Sequence, residues 1–244
     1  MRNLLFLPFV IFIFLAACRK QAPNHNYNNS VVFSVRHQVD GSPLVLDSVI
    51  YTNAAGNHYG IQKLQYYLSN IAFYKSGKKV HLFDTAILIN AFADSVCSFT
   101  LSPSVGMESG QYDSLSFTIG LDAMHNLSNA LPSTLQNLDM AWPDAMGGGY
   151  HFLKLEGHYQ NNLLLAGYAM HLGQTGFHVN SGLHCSLLVP DNASAHLNLI
   201  MNVNEWFTSP NTYDFNIDGV FSMGDTLLMT KLAQNGKNVF KIVD

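Results

Sequence analysis

Residues 195–204 alternate with a period of two. Leu197, Leu199, Met201 and Val203 fall on one side, and His196, Asn198, Asn202 and Asn204 on the other. That period belongs to a strand with one face buried and one face wet. The same signal returns along the chain between turn residues. It marks 31–37, 44–51, 68–74, 80–90, 98–101, 111–121, 150–156, 163–172 and 184–189 as further strands. Asp40-Gly41-Ser42-Pro43 reads as a turn, because Gly allows positive φ and Pro fixes its own. Ser76-Gly77-Lys78-Lys79 reads as a hairpin. Upstream of residue 68 the pattern is ambiguous, since Leu64, Tyr67, Leu68 and Ile71 also fit a helical stripe. Two helical signals stand out: a short turn at 134–138, and 225–234 with Leu227, Leu228 and Leu232 at helical spacing. Asp225 lies near the start of the second and Asn235-Gly236 at its end. Residues 239–243 suit a last strand or an extended tail. Many short strands separated by turns predict an all-β fold. It is an antiparallel β-sandwich with long loops and a short C-terminal helix, one domain over 31–244.

The N-terminus carries a different message. Arg2 precedes an apolar run at 4–15, which is short for a span of about 20 residues, and Leu15-Ala16-Ala17-Cys18 follows. This is the layout of a signal peptide over 1–17, with Cys18 lipidated as the mature N-terminus. Residues 18–30 hold little apolar content and suit a flexible tether. The expected location is a bacterial membrane, reached through the lipid, with the domain facing periplasm or cell surface. Arg19-Lys20 lacks the Asp associated with inner-membrane retention, which favours the outer membrane. The remaining 227 residues suffice for one large β domain. A formal charge of −4 argues against a nucleic-acid partner, which demands a basic face. Cys97 and Cys185 are either a disulfide or two buried thiols.

No phosphate-binding Gly-x-x-x-x-Gly-Lys, nucleophile elbow, His-Glu-x-x-His or Cys-x-x-Cys occurs. The expectation is therefore a protein that is not an enzyme. Histidine is the unusual component: eleven are present. Neutral imidazole suits Cu, Zn, Fe or Ni, and a nearby thioether favours Cu(I). No His-x-His spacing appears, so a metal site must be assembled from distant segments. Trp142 precedes Gly147-Gly148-Gly149 and the strand at 150–156. It is either a core aromatic or an indole set beside a metal. Glu156, on that strand, is either a surface carboxylate or the partner of a histidine ligand.

Several blocks, taken in order, resemble the MbnP-like family of copper-associated exported proteins. They begin with Phe33-Ser34-Val35-Arg36-His37 running to Leu44, then Tyr66-Tyr67-Leu68-Ser69-Asn70-Ile71 and Ile119-Gly120-Leu121-Asp122. Met140-Ala141-Trp142, the stretch from Gly149 to Gly157, and His171-Leu172-Gly173 complete the set. The Tyr-Tyr-Leu-Ser-Asn block and the lipidation signal are similar to the lipoprotein branch of Bacteroidetes type. The resemblance implies a β-sandwich that binds copper through histidines near a tryptophan, with that tryptophan oxidised to kynurenine by a di-haem, peroxidase-like partner. It assigns His37 and His171 as metal ligands and Trp142 as the metal-proximal, modifiable residue; Glu156 joins them only through the reading of its own strand. Where relatives carry a second aromatic after the first, this chain has Pro143, Asp144, Ala145 and Met146. The expectation is an exported, lipid-anchored, non-enzymatic copper-binding protein in which His37 and His171 both approach Trp142. The alternative is a cell-surface binding or structural lipoprotein module without metal.

Overall fold

The computed structural model describes residues 29–91, 96–102 and 107–243; Cys18 lies outside them. Among the described residues twelve strands follow one another: β1 (Ser30–Val39), β2 (Ser42–Pro43), β3 (Tyr51–Thr52), β4 (His58–Lys75), β5 (Lys78–Asn90), β6 (Val96–Leu101), β7 (Gly110–Ile119), β8 (His151–Asn161), β9 (Leu164–Gly173), β10 (Val179–Val189), β11 (Ser194–Asn202) and β12 (Phe240–Val243). Helix α1 (Leu135–Asp139) stands in the loop before β8, and α2 (Thr226–Asn235) before β12. One sheet runs β12-β11-β1-β2 with β6 on β1. The other runs β10-β7-β4-β8-β9 with β3 and β5 on β4. The fold is the expected all-β sandwich. Its pairing is antiparallel throughout the named strands except at β1 and β11, which run parallel with Phe33 opposite Leu197.

Aromatic side chains fill the space between the sheets. Phe33 of β1 meets Phe73 of β4 edge-on at 6.1 Å. Phe240 of β12 reaches Tyr66 at 6.0 Å and Phe117 at 5.2 Å. Each such ring contributes about 1.5–3 kcal/mol when taken from water.

Three expectations change. Residues 44–51 do not form a strand: only Tyr51–Thr52 pairs, and Leu46 makes a single bridge to Ile61. Asp47 has φ 59, which breaks the extended run, and the segment lies so close to β4 that a Cβ at Gly60 would come within 2.3 Å of the Ser48 oxygen. The ambiguous stretch before residue 68 is strand throughout, within one long β4. Its helical appearance arises because both faces are covered. Tyr66 turns into the core, whereas Tyr67 turns outward under Tyr150 and donates to Asn137 at 2.8 Å. Strand β11 stops at Asn202, and Val203–Phe207 forms a 3-10 turn with Asn204 buried. Both helical signals hold: Thr134 caps α1 and Asp225 caps α2 through their side chains.

Candidate metal centre

The hairpin of β8 and β9 supplies the side chains, and its register decides which face they occupy. Leu155 lies opposite Met170 and Leu153 opposite Leu172, all buried toward the core. The residues between them point to the outer face: Lys154 opposite His171, and Glu156 opposite Ala169. One extra residue then interrupts β8, because Leu153 pairs with Leu172 but His151 pairs with Gly173. This bulge keeps His151 on the outer face beside His171. The two imidazoles stand perpendicular with centroids 4.8 Å apart.

Trp142 arrives from a short ladder laid along the start of β8. His151 donates its backbone N–H to Met140 at 2.7 Å, and Trp142 donates to Gly149 at 2.9 Å. The intervening turn passes through Gly147, Gly148 and Gly149, all at positive φ, where side chains other than hydrogen are disfavoured. The indole lies on the bare backbone of Gly173: a Cβ there would sit 2.3 Å from its Cε3. Its ring centroid is 4.7 Å from that of His151. The indole N–H donates to the Met146 carbonyl at 3.2 Å, which also accepts from Gln174 at 2.7 Å.

Hydrogen bonds fix both tautomers. His151 Nδ1 lies 3.2 Å from the Met140 carbonyl. A carbonyl only accepts, so Nδ1 carries the proton and Nε2 the lone pair. His171 Nε2 lies 2.9 Å from Glu156 Oε1, so in the neutral ring Nε2 carries the proton and Nδ1 the lone pair. Both lone-pair nitrogens, His151 Nε2 and His171 Nδ1, are buried and meet no hydrogen-bond partner. Burial, followed by the adjacent His171 and Lys154, pushes the His151 pKa down to about 4, which keeps it neutral at pH 7. The hydrogen bond from His171, aided by the Lys63 charge, holds the Glu156 carboxyl below the usual carboxylate range against its burial. Lys63 stands 4.0 Å from both Glu156 and Asp139, and Lys154 donates to the Asp139 carbonyl oxygen at 2.5 Å.

Of the residues singled out from sequence, Trp142, His171 and Glu156 come together. His37 does not join them. It points inward from β1, where its Nε2 lies 2.9 Å from the Tyr66 hydroxyl. Tyr66 lies opposite Leu153 on the core face of its sheet, whereas His171 lies opposite Lys154 on the outer face. The sheet itself separates the two histidines. His151 takes the place expected of His37, and only the bulge puts it there. Folding the chain back at Asn162 would have brought 151–156 opposite 169–173, which was the available signal.

Two other groups carry ligand-type atoms. Asp84, Asp122 and His125 hold ligand atoms within 4.8 Å of one another. Asp84 is exposed, and His125 Nδ1 is engaged by Asp122 at 3.0 Å, so the cluster is accounted for by its own contacts. Cys97 donates to the Asn90 carbonyl at 3.4 Å and Cys185 to the Tyr112 carbonyl at 3.9 Å. Each is a half-buried thiol and no disulfide joins them.

Comparison with known proteins bears on the whole of this arrangement. A family model described as MbnP matches residues 28–224, a span that includes every residue of the centre. A solved structure, MbnP from Methylosinus trichosporium, superposes with a TM-score of 0.50 at 13% identity, covering 76% of this chain and 80% of that one. The likeness is one of fold. No curated protein matches.

Proposed function

Because this chain belongs to the MbnP family, we propose that it is an exported copper-binding protein that holds the ion between His151 Nε2 and His171 Nδ1, with the Trp142 indole alongside. One observation carries the reading: two buried imidazole lone pairs without partners, on rings 4.8 Å apart. Leaving a buried acceptor unpaired costs about 1–3 kcal/mol. Two such atoms on adjacent rings are explained when something accepts both lone pairs. Neutral imidazole is a copper donor, and Glu156 orients one ring as carboxylates do in metal centres. Copper would supply a soft, redox-active ion next to an oxidisable indole.

The protein's own residues present donors, exclude water and fix ring orientation. In this reading their role is binding. His37 stays in the core as a structural residue. In this proposal Cys18 bears the lipid, the domain faces periplasm or cell surface, and a di-haem, peroxidase-like protein is the partner that oxidises Trp142.

Titration of the mature domain with Cu(I) and Cu(II) tests the centre. One equivalent should bind. His151→Ala and His171→Ala should each abolish or severely weaken binding, and His37→Ala should leave it intact. Stoichiometric binding that ignores the first two substitutions sinks the site, and no binding sinks the function. Intact mass after co-expression with a di-haem peroxidase tests Trp142, since kynurenine replaces one ring carbon with oxygen. An unchanged mass removes the partner from the proposal.

A further inference from the structure

The turn joining β8 to β9 has the wrong chemistry for a turn in water. Asn161 pairs with Leu164, leaving a two-residue loop of Asn162 and Leu163. Asn162 adopts the left-handed conformation at φ 56 and Leu163 does not, so the backbone at the tip makes no demand for glycine and a polar side chain would serve there. Here the next residue is leucine, and two more leucines follow. Leu163 is 96% exposed, Leu164 75% and Leu165 64%. The neighbouring loop adds Ile217 at 82%. It comes to the same end of the sandwich, since a cavity lies between Asn161, Asn162 and Asn216.

We propose that this tip is a lipid-docking element that lays the domain against the bilayer to which Cys18 ties it. The choice of a bilayer as occupant rests on reading Cys18 as lipid-bearing. Two further observations favour it. From Gly157 to Pro190 the sequence contains no Asp, Glu, Lys or Arg, so inserting the tip desolvates no formal charge in the half of β8 next to the turn, in β9 or in β10. The tip is also one hairpin turn wide. It offers far less than the ~800 Å² per partner of a stable protein interface, but it suits shallow burial of apolar side chains at the lipid headgroup boundary.

The tip also has a defined place relative to the anchor. Tyr159 lies opposite Tyr59 near the start of β4, while Phe33 of β1 meets Phe73 near its end. The chain therefore enters at Ser30 at one end of the sandwich, and the leucines stand at the other. The 18 residues of β4 span roughly 55–60 Å, whereas the stretch from Cys18 to Ser30 reaches at most ~40 Å. Lipid contact at both ends therefore excludes an upright domain and tilts the long axis toward the membrane plane.

The test uses the chain from residue 19 onward, which keeps every described element, with vesicles of phosphatidylethanolamine and phosphatidylglycerol. The protein should co-sediment with them. Leu163→Asp combined with Leu164→Asp should lower partitioning at least about tenfold. Leu188→Asp, at an exposed leucine of β10 opposite Gln111 and so at the entry end, should leave partitioning unchanged. All three proteins should unfold at similar temperatures, because the altered side chains are exposed. Absence of vesicle binding overturns the proposal, as does binding that the double variant retains. Self-association lost in the double variant, without vesicle binding, assigns the tip to a second copy instead. Mass analysis for acyl chains on Cys18 reports separately on the anchor.

Discussion

Glu156 and His37 show how far one proton can matter. Without Glu156 the His171 ring loses the acceptor that holds its proton on Nε2, so Nδ1 is no longer held as the lone-pair nitrogen. Glu156→Ala should weaken copper binding about 10–100-fold in the same titration. Glu156→Gln, which retains an acceptor oxygen, should recover most of it. His37 makes a different prediction. It is buried, and burial lowers its pKa to about 4, against about 6.5 in the unfolded chain. Between those values the unfolded chain takes up a proton that the folded chain refuses. Stability is therefore full above pH 6.5 and falls as the pH drops toward 4, by about 2 kcal/mol at pH 5 from this residue. Urea unfolding at pH 7 and pH 5 should show the loss in the wild-type protein and a smaller loss in His37→Gln. An equal loss in both would remove His37 from the account. Trp142, His171 and Glu156 were legible in the sequence because each sits in a recognisable block. His151 was not, since strand parity alone gives no warning of an inserted residue.

The β8–β9 hairpin turns that bulge into a centre, and Gly173 is the position on which it closes. Its φ is unremarkable; the need for glycine comes from the indole resting on its backbone. Gly173→Ala must push the ring off by more than a side-chain adjustment, because Trp142 is also tied through its own N–H to Gly149 and through its indole to Met146. The expected cost is about 1–3 kcal/mol, typical of overpacking. It should come with a shift in tryptophan emission and weaker copper binding. Unchanged emission and affinity would mean that the indole has room the geometry denies it. Elements were readable where one face is wet, as along β11 up to Asn202, and where a capping residue marks a helix, as Asp225 does for α2. They were obscured in β4, whose two covered faces erase the alternation, and at 44–51, where Asp47 interrupts an apparently good strand.

At the scale of the molecule the least readable feature is the pairing of β1 with β11. No local signal places Phe33 beside Leu197 in parallel, because that contact is set by how the two sheets close over one core. The end of the chain belongs to that closure even though the family match stops at residue 224. Strand β12 pairs with β11, and Phe240 inserts between the sheets against Tyr66 and Phe117. Tyr66 in turn holds His37, so the C-terminal strand and the N-terminal strand meet through one tyrosine. Truncating Phe240 leaves a cavity bounded by both sheets, where neither can relax without disturbing the other. Phe240→Ala should therefore cost about 3–5 kcal/mol, read as a lower urea midpoint at constant slope. The cavity also admits water near His37, so the stability difference between pH 7 and pH 5 should shrink in the same variant. A large loss of stability with the pH difference intact would separate the two ends of the chain. A small loss would show that β12 is an appendage to the core.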